Sequence, residues 1–116
     1  MSKVTIYHNP RCSKSRQTLT LLQDKGIEPD IILYLETPPT AGTLKTLVKQ
    51  LGITPRQLLR TSEAEFKEMN LSDPSLTDDA IILAMTKTPK LIERPIVVKD
   101  NKAVLGRPPE NVLVLI

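Results

Sequence analysis

Cysteine is nearly absent from this sequence of 116 residues, and Cys12 is the only one. A single cysteine cannot form an internal disulfide, which is typical of a protein in a reducing compartment. We therefore expect a cytoplasmic location. With one cysteine and one histidine, the chain also lacks the ligands of a structural zinc site, and we expect no bound metal.

Aromatic residues and long apolar runs are also scarce. There is no tryptophan, and the aromatic residues are Tyr7, Tyr34 and Phe66, so the core must be aliphatic. The basic residues give a formal net charge of +3 but are not interleaved with aromatics, which argues against a single-strand nucleic-acid platform. The longest apolar run, Ala80–Met85, is too short to span a bilayer, and the N-terminus does not resemble a signal segment. We expect no nucleic-acid and no membrane partner.

The beginning of the chain predicts a βαβ unit. Residues 4–7 alternate in a strand-like pattern, and residues 13–25 have a helical spacing of leucines that ends at Gly26. The nearly continuous apolar run at residues 30–35 predicts a strand buried on both faces, as in a parallel sheet. A strand, a helix and a strand in this order form a right-handed βαβ unit in almost all cases.

The middle of the chain, about residues 40–88, predicts an all-helical insertion. Thr40 and Thr77 are candidate N-caps, and Thr54-Pro55 predicts a short helix carrying Leu58, Leu59 and Arg60. Residues 62–69 predict another helix.

The end of the chain returns to strands. A hairpin is predicted at residues 95–98 and 102–106, followed by a final helix that opens at Pro108. The sequence therefore predicts one α/β domain over residues 1–116, with a βαβ half and a ββα half around the insertion.

Cys12 is the leading candidate for chemistry because it precedes a predicted helix and is flanked by Arg11, Lys14 and Arg16. A helix N-terminus and nearby cations both favour the thiolate, which is the nucleophilic form. The alternative is a small buried hydrophobic residue, which the polar neighbours disfavour. Ser15 occupies the place of the second cysteine of a Cys-x-x-Cys pair, so a thiol cycle needs an external reductant.

Two polar residues close to Cys12 have two interpretations each. His8 either stabilises or deprotonates the thiol, or it is a solvated histidine at a strand end. Ser15 either donates a hydrogen bond to sulfur or to an oxyanion, or simply begins the helix.

Three arginines, Arg60, Arg94 and Arg107, are candidate ligands for an oxyanion such as arsenate or phosphate. Guanidinium groups bind tetrahedral oxyanions through paired hydrogen bonds and keep their charge. The last two precede prolines, which restricts their backbone to extended conformations. Taken alone, each is better explained as an ordinary surface arginine, and a sequence does not show whether the three converge. The peptide bond before Pro95 is either cis, as in tight turns near the sulfur of thiol-redox folds, or trans.

Several segments spread over nearly the whole chain match one known family. They are Thr5–Pro10 with Cys12 and Ser15-Arg16, Leu33–Glu36, Leu58–Arg60, Thr77–Asp79, Arg94–Val98 and Arg107-Pro108. Through these segments the chain resembles the glutaredoxin-coupled arsenate reductases, the ArsC family, and most closely its short, single-cysteine bacterial members. The resemblance implies a thioredoxin-like fold with a helical insertion.

The resemblance also implies a reaction. Cys12 attacks arsenate to form a sulfur–arsenic adduct, glutathione attacks the adduct as co-substrate, and glutaredoxin resolves the product, with release of arsenite and without a bound cofactor. The implied site consists of Cys12 as nucleophile, Arg60, Arg94 and Arg107 as oxyanion ligands, and His8 and Ser15 around the sulfur.

Two other functions remain open. One is a general glutathione-linked thiol oxidoreductase, against which the arginines favour an oxyanion. The other is an RNA polymerase-binding regulator of the Spx type, whose redox-sensing members use the Cys-x-x-Cys pair that Ser15 precludes.

Overall fold

The computed structural model describes residues 3–116 and contains a mixed four-stranded sheet with the strand order β2-β1-β3-β4. Its strands are β1 (Val4–His8), β2 (Asp30–Leu33), β3 (Ile96–Lys99) and β4 (Lys102–Leu105). β1 pairs with β2 in parallel and with β3 antiparallel, and β3 and β4 form the predicted hairpin. The topology is the expected α/β, thioredoxin-like combination of a βαβ and a ββ half.

Contacts divide the chain into two compact units, and the first consists of the residues up to Thr37 together with Arg94–Ile116. Helix α1 (Ser13–Asp24) connects β1 to β2 in this unit. The helix ends before Gly26, as predicted, and Gly26 has a φ of +78° and donates its N–H to the carbonyl of Gln23. The buried hydrophobic core of this unit consists of Val4, Ile6, Leu22, Val97 and Val112.

Strand β2 differs from its prediction. We expected it to reach Leu35 and to be buried on both faces, but it ends at Leu33, and Ile31 is 47% exposed. The reason is its place at the edge of the sheet, where its only partner strand among the described residues is β1. An apolar run alone does not distinguish an edge strand from a central one. Tyr34, just beyond the strand, is buried.

The end of the first unit also differs in one detail. The predicted final helix is a 3₁₀ helix over Pro109–Val114 rather than an α-helix. Asn111 in this segment donates side-chain hydrogen bonds to the carbonyls of Leu105 (3.2 Å) and Arg107 (3.1 Å), so it ties the helix to the turn that follows β4.

The second unit is Pro38–Glu93 and contains the predicted insertion. Its helices are α2 (Ala41–Leu51), α3 (Ala64–Glu68) and α4 (Asp78–Lys87), with 3₁₀ helices at Pro55–Leu58 and Pro89–Leu91. Both predicted caps are confirmed: the Thr40 hydroxyl accepts from the N–H of Thr43, and the Thr77 hydroxyl accepts from that of Ala80.

The second unit is not entirely helical, and this corrects the prediction for residues 58–60. The short helix ends at Leu58, and Leu59 forms an antiparallel β-bridge with Ile92. The N–H of Arg60 then donates to the carbonyl of Leu91 at 2.7 Å. Backbone pairing with the distant segment Leu91-Ile92 thus fixes the backbone of Arg60. The helical spacing of the leucines does not reveal such a pairing.

None of the helices within residues 3–116 is both long and apolar enough to cross a bilayer.

Candidate active site

Cys12 lies at the N-cap of α1, at the end of a tight turn that leaves β1. Its N–H donates to the carbonyl of Asn9 at 3.0 Å, and its own carbonyl accepts the first helical hydrogen bond, from Arg16. The residue is partly exposed and lies outside the aliphatic core. The turn therefore places the sulfur at the positive end of the helix, where reagents can reach it.

Asn9 organises this turn, and the sequence analysis missed it. Its side-chain Oδ1 accepts from the N–H of Arg11 at 3.0 Å, and its own N–H donates to the Ser15 hydroxyl at 3.0 Å. The Asn9-Pro10 dipeptide was an available signal, because asparagine before proline favours turn initiation through such side-chain bonds.

The surroundings of Cys12 lower the pKa of its thiol. Burial raises this pKa, but the effect is outweighed by the backbone N–H of Ser15, the charge of Arg94, the N–H of Lys14 and a hydrogen bond from the Arg94 side chain. Hydrogen bonds to the charged form of a group favour that form, which is why the two amides lower the pKa of the thiol. The cation responsible is thus Arg94, from the far end of the chain, rather than the sequence neighbours named above.

His8 and Ser15 form a buried pair directly behind the turn. The His8 Nδ1 lies 2.6 Å from the Ser15 Oγ, and the two residues are 6% and 0% exposed. Burial, and then the charge of Arg16, lower the pKa of His8, so the imidazole is neutral at neutral pH. His8 is therefore not solvated. Its contact is with the Ser15 hydroxyl, while the Ser15 amide is the group that stabilises the Cys12 thiolate.

Arg94 and Arg107 have a similar local backbone, since each is followed by a cis peptide bond to proline. The bond before Pro95, left open above, is cis. Arg94 is partly buried, whereas Arg107 is exposed. Gly106 links the two cis-proline segments, because it precedes Arg107 and its N–H donates to the carbonyl of Pro95 at 2.9 Å.

Gly106 also marks a close approach between this segment and α1. Its carbonyl accepts from the hydroxyl of the fully buried Thr18 at 3.2 Å. An added Cβ on Gly106 would lie 2.6 Å from the Thr18 Oγ1 and 2.8 Å from the Pro95 Cγ. The lack of a side chain here lets the segment carrying both arginines pack against the helix that carries Cys12.

Arg60 belongs to the second unit, where its side chain is paired with Glu63. The Arg60 Nη2 lies 2.9 Å from the Glu63 Oε1, and the two side chains are 15% and 24% exposed. The Arg60 Nε is buried and has no hydrogen-bond partner among residues 3–116.

The structure thus connects some of the candidate residues directly. Within the first unit, Cys12 is linked to Ser15 and Arg94, and Ser15 is linked to His8. Arg107 lies in the same unit, beyond Gly106. Over the described part of the chain, no three or more His, Cys, Asp and Glu side chains gather in a way that could hold a metal ion.

Two clefts of the first unit flank the turn. One, of about 540 Å³, begins at Ser13 and Arg16 and continues along α1 to Asp24. The other, of about 300 Å³, is bordered by His8, Asn9 and Arg11. Cys12 itself lines neither, but each is lined by a residue next to it in sequence, Ser13 or Arg11.

Comparison with known proteins gives a consistent result. The chain matches the model of the ArsC family over residues 7–115. It is 56% identical over 115 residues to the uncharacterized protein YfgD of Escherichia coli K12, covering 98% of this chain and 97% of that protein. It is also 48% identical over 111 residues to an arsenate reductase of Haemophilus influenzae, covering 95% and 96%.

A solved structure agrees with these relationships. The arsenate reductase from Vibrio cholerae has a TM-score of 0.97 against this chain, with 54% sequence identity and 98% of each chain covered. The range matched by the family model, residues 7–115, spans the positions of the turn, Cys12 and the three arginines. This chain belongs to the ArsC family.

Proposed function

We propose that this protein reduces arsenate to arsenite, with Cys12 as the nucleophile, glutathione as the reductant and glutaredoxin as the partner that regenerates the thiol. The single observation that carries the proposal is the position of the partly exposed Cys12 at the N-cap of α1, where helix N-terminal amides and Arg94 lower the pKa of its thiol. A cationic, amide-lined thiolate suits attack on an anion, since the same groups that stabilise sulfur also offset the charge of the oxyanion. Relatives named arsenate reductase support arsenate as that oxyanion.

The reaction proceeds in three steps. The Cys12 thiolate forms a bond to As(V), one As–O bond breaks, and the oxygen leaves as water after protonation. A glutathione thiolate then attacks the Cys12 sulfur. The sulfur–arsenic bond breaks with its electron pair on arsenic, which gives arsenite and a mixed disulfide of Cys12 with glutathione. Glutaredoxin accepts the glutathionyl group and returns Cys12 to its thiolate.

The other residues have distinct roles in this proposal. Arg94 stabilises first the thiolate and then the bound oxyanion, and Arg60 and Arg107 complete the set of oxyanion ligands. His8 holds the Ser15 hydroxyl, so the Ser15 amide stays directed at the sulfur. No bound cofactor takes part, and glutathione is a co-substrate. We assign the reaction to the cytoplasm, where a lone cysteine stays reduced.

The test is NADPH consumption with arsenate, glutathione, glutaredoxin and glutathione reductase. We expect arsenate-dependent turnover that stops when glutaredoxin is omitted and in the Cys12→Ser variant. Ser72→Ala, an exposed serine of the second unit, is the matched control and should keep full activity. Turnover that survives Cys12→Ser contradicts the nucleophile.

A glutathionylated peptide replaces arsenate in a parallel assay. Rapid reduction of this peptide without any arsenate-dependent turnover would refute the proposal and identify a general thiol oxidoreductase instead.

A further inference from the structure

The guanidinium of Arg60 is only half paired. A guanidinium presents its Nε–H and one Nη2–H side by side, and this edge forms the two parallel hydrogen bonds by which arginine binds a carboxylate or a tetrahedral oxyanion. In this chain the Nη2 is bonded to Glu63 at 2.9 Å, whereas the Nε of the same edge is buried without a hydrogen-bond partner among residues 3–116. One carboxylate oxygen thus occupies half of the edge that a bidentate anion requires.

The backbone keeps this pair in place without help from the ion pair. The N–H of Arg60 donates to the carbonyl of Leu91, and the N–H of Glu63 donates to the carbonyl of Arg60 at 3.3 Å. Removing the Glu63 charge therefore leaves the local chain path intact. A carboxylate whose only role was to neutralise Arg60 would gain from bonding both donors, yet the buried Nε lacks an acceptor, which costs free energy.

We propose that Glu63 determines the oxyanion affinity of the site by competing with the substrate for Arg60, an inference that depends on the proposed function. A tetrahedral oxyanion that binds across Nε and Nη2 must take Nη2 from Glu63 or share it with that carboxylate. Both side chains are largely buried, so the repulsion between Glu63 and an incoming anion is only weakly screened. Glu63 therefore weakens the binding of every oxyanion that uses Arg60, including arsenate and inorganic phosphate.

The test uses Glu63→Gln, which keeps the shape and an acceptor oxygen but removes the charge. We expect the KM for arsenate to fall about threefold to fivefold, the upper part of the range for a single ion pair, with kcat changed less than about twofold. The inhibition constant of inorganic phosphate should fall by the same factor. Glu63→Ala, the second neutral variant, should shift both constants in the same direction.

The matched control is Glu65→Gln, in the helix α3 whose N-cap is Glu63. It makes the same charge change and breaks an ion pair with Lys90 of 2.6 Å, and we expect no change in KM for arsenate beyond about 1.5-fold. In an Arg60→Ala background, the effect of Glu63→Gln should be much smaller, because only the direct repulsion of the anion remains and the competition for the guanidinium is gone.

Protection of Cys12 from iodoacetamide by arsenate gives a readout that does not need turnover. The half-protecting arsenate concentration should fall in Glu63→Gln and rise in Arg60→Ala. A rise or no change in Glu63→Gln, with Arg60→Ala weakened, overturns the inference and leaves the proposed function intact. Unchanged protection in Arg60→Ala removes Arg60 from the proposed site and overturns the inference with it.

Discussion

Substitution of Gly106 by alanine tests how the arginine segment is held against the helix of Cys12. Gly106 does not have a positive φ, so alanine can adopt its backbone conformation, and the effect comes from contacts alone. The new Cβ would lie 2.6 Å and 2.9 Å from two Thr18 atoms and 2.8 Å from the Pro95 Cγ. All three distances are well inside the van der Waals separation of about 3.5–4.0 Å.

The expected loss of stability combines two effects. Overpacking at a close contact costs about 1–3 kcal/mol, and displacement of the buried Thr18 hydroxyl from the Gly106 carbonyl costs about 1 kcal/mol. The free energy of unfolding should therefore fall by about 2–4 kcal/mol. With a urea m-value of about 1.5–2 kcal/mol/M, the midpoint of unfolding should fall by about 1–3 M.

The assay is urea unfolding followed by circular dichroism, with Gly42→Ala as the matched control. Gly42 lies in α2, and the nearest atom to its new Cβ is the Thr40 Oγ1 at 3.9 Å. This variant should be as stable as the parent or more stable by up to about 1 kcal/mol. A Gly106→Ala protein as stable as the parent would refute the close approach. Because Gly106 holds Pro95, the folded fraction of the variant should also alkylate Cys12 with a higher pH midpoint.

Three further predictions concern single side chains. Arg94→Gln should raise the pH midpoint of Cys12 alkylation, because it removes the cation that lowers the pKa of the thiol. Arg16→Gln should leave the midpoint nearly unchanged, because the Arg16 guanidinium donates to the Pro10 carbonyl. A larger shift in Arg16→Gln than in Arg94→Gln would contradict the assignment of Arg94 as that cation. Because the pKa of His8 is lowered by burial and then by Arg16, the unfolded chain protonates first as pH falls below about 6.5. Stability should drop on acidification, and His8→Gln should reduce this drop in urea unfolding at pH 7, 6 and 5; an unchanged drop would exclude His8 as its source. Thr77→Ala should lower the unfolding free energy by about 1 kcal/mol through loss of the α4 cap, and an unchanged urea midpoint would contradict this role.

The fold was predictable where the determinants are local. The caps at Thr40 and Thr77 and the helix end before Gly26 are predictable, because each depends on hydrogen bonds to backbone groups within a few residues. The place of β2 at the sheet edge was not predictable, because the order of strands depends on pairings between distant segments. The strand-like bridge at Leu59 has the same origin.

In the candidate site, too, the local features could be predicted from the sequence and the contacts between distant segments could not. A reactive Cys12 followed from its place before a helix, since the amides that stabilise the thiolate belong to the next residues. The cation could not be assigned from proximity in sequence, because the guanidinium that lowers the Cys12 pKa belongs to Arg94. The burial of His8 was equally hidden, since β1 alternates and either face could have been the buried one.

We propose that the surroundings of Cys12 favour its thiolate, in a site that binds an oxyanion. The most direct test of this claim is the rate of Cys12 alkylation by iodoacetamide as a function of pH, with and without arsenate at constant ionic strength. The account predicts a midpoint below the value of about 8.5 for free cysteine, and slower alkylation when arsenate is present. A midpoint at or above the free value, with no protection by arsenate, would contradict it.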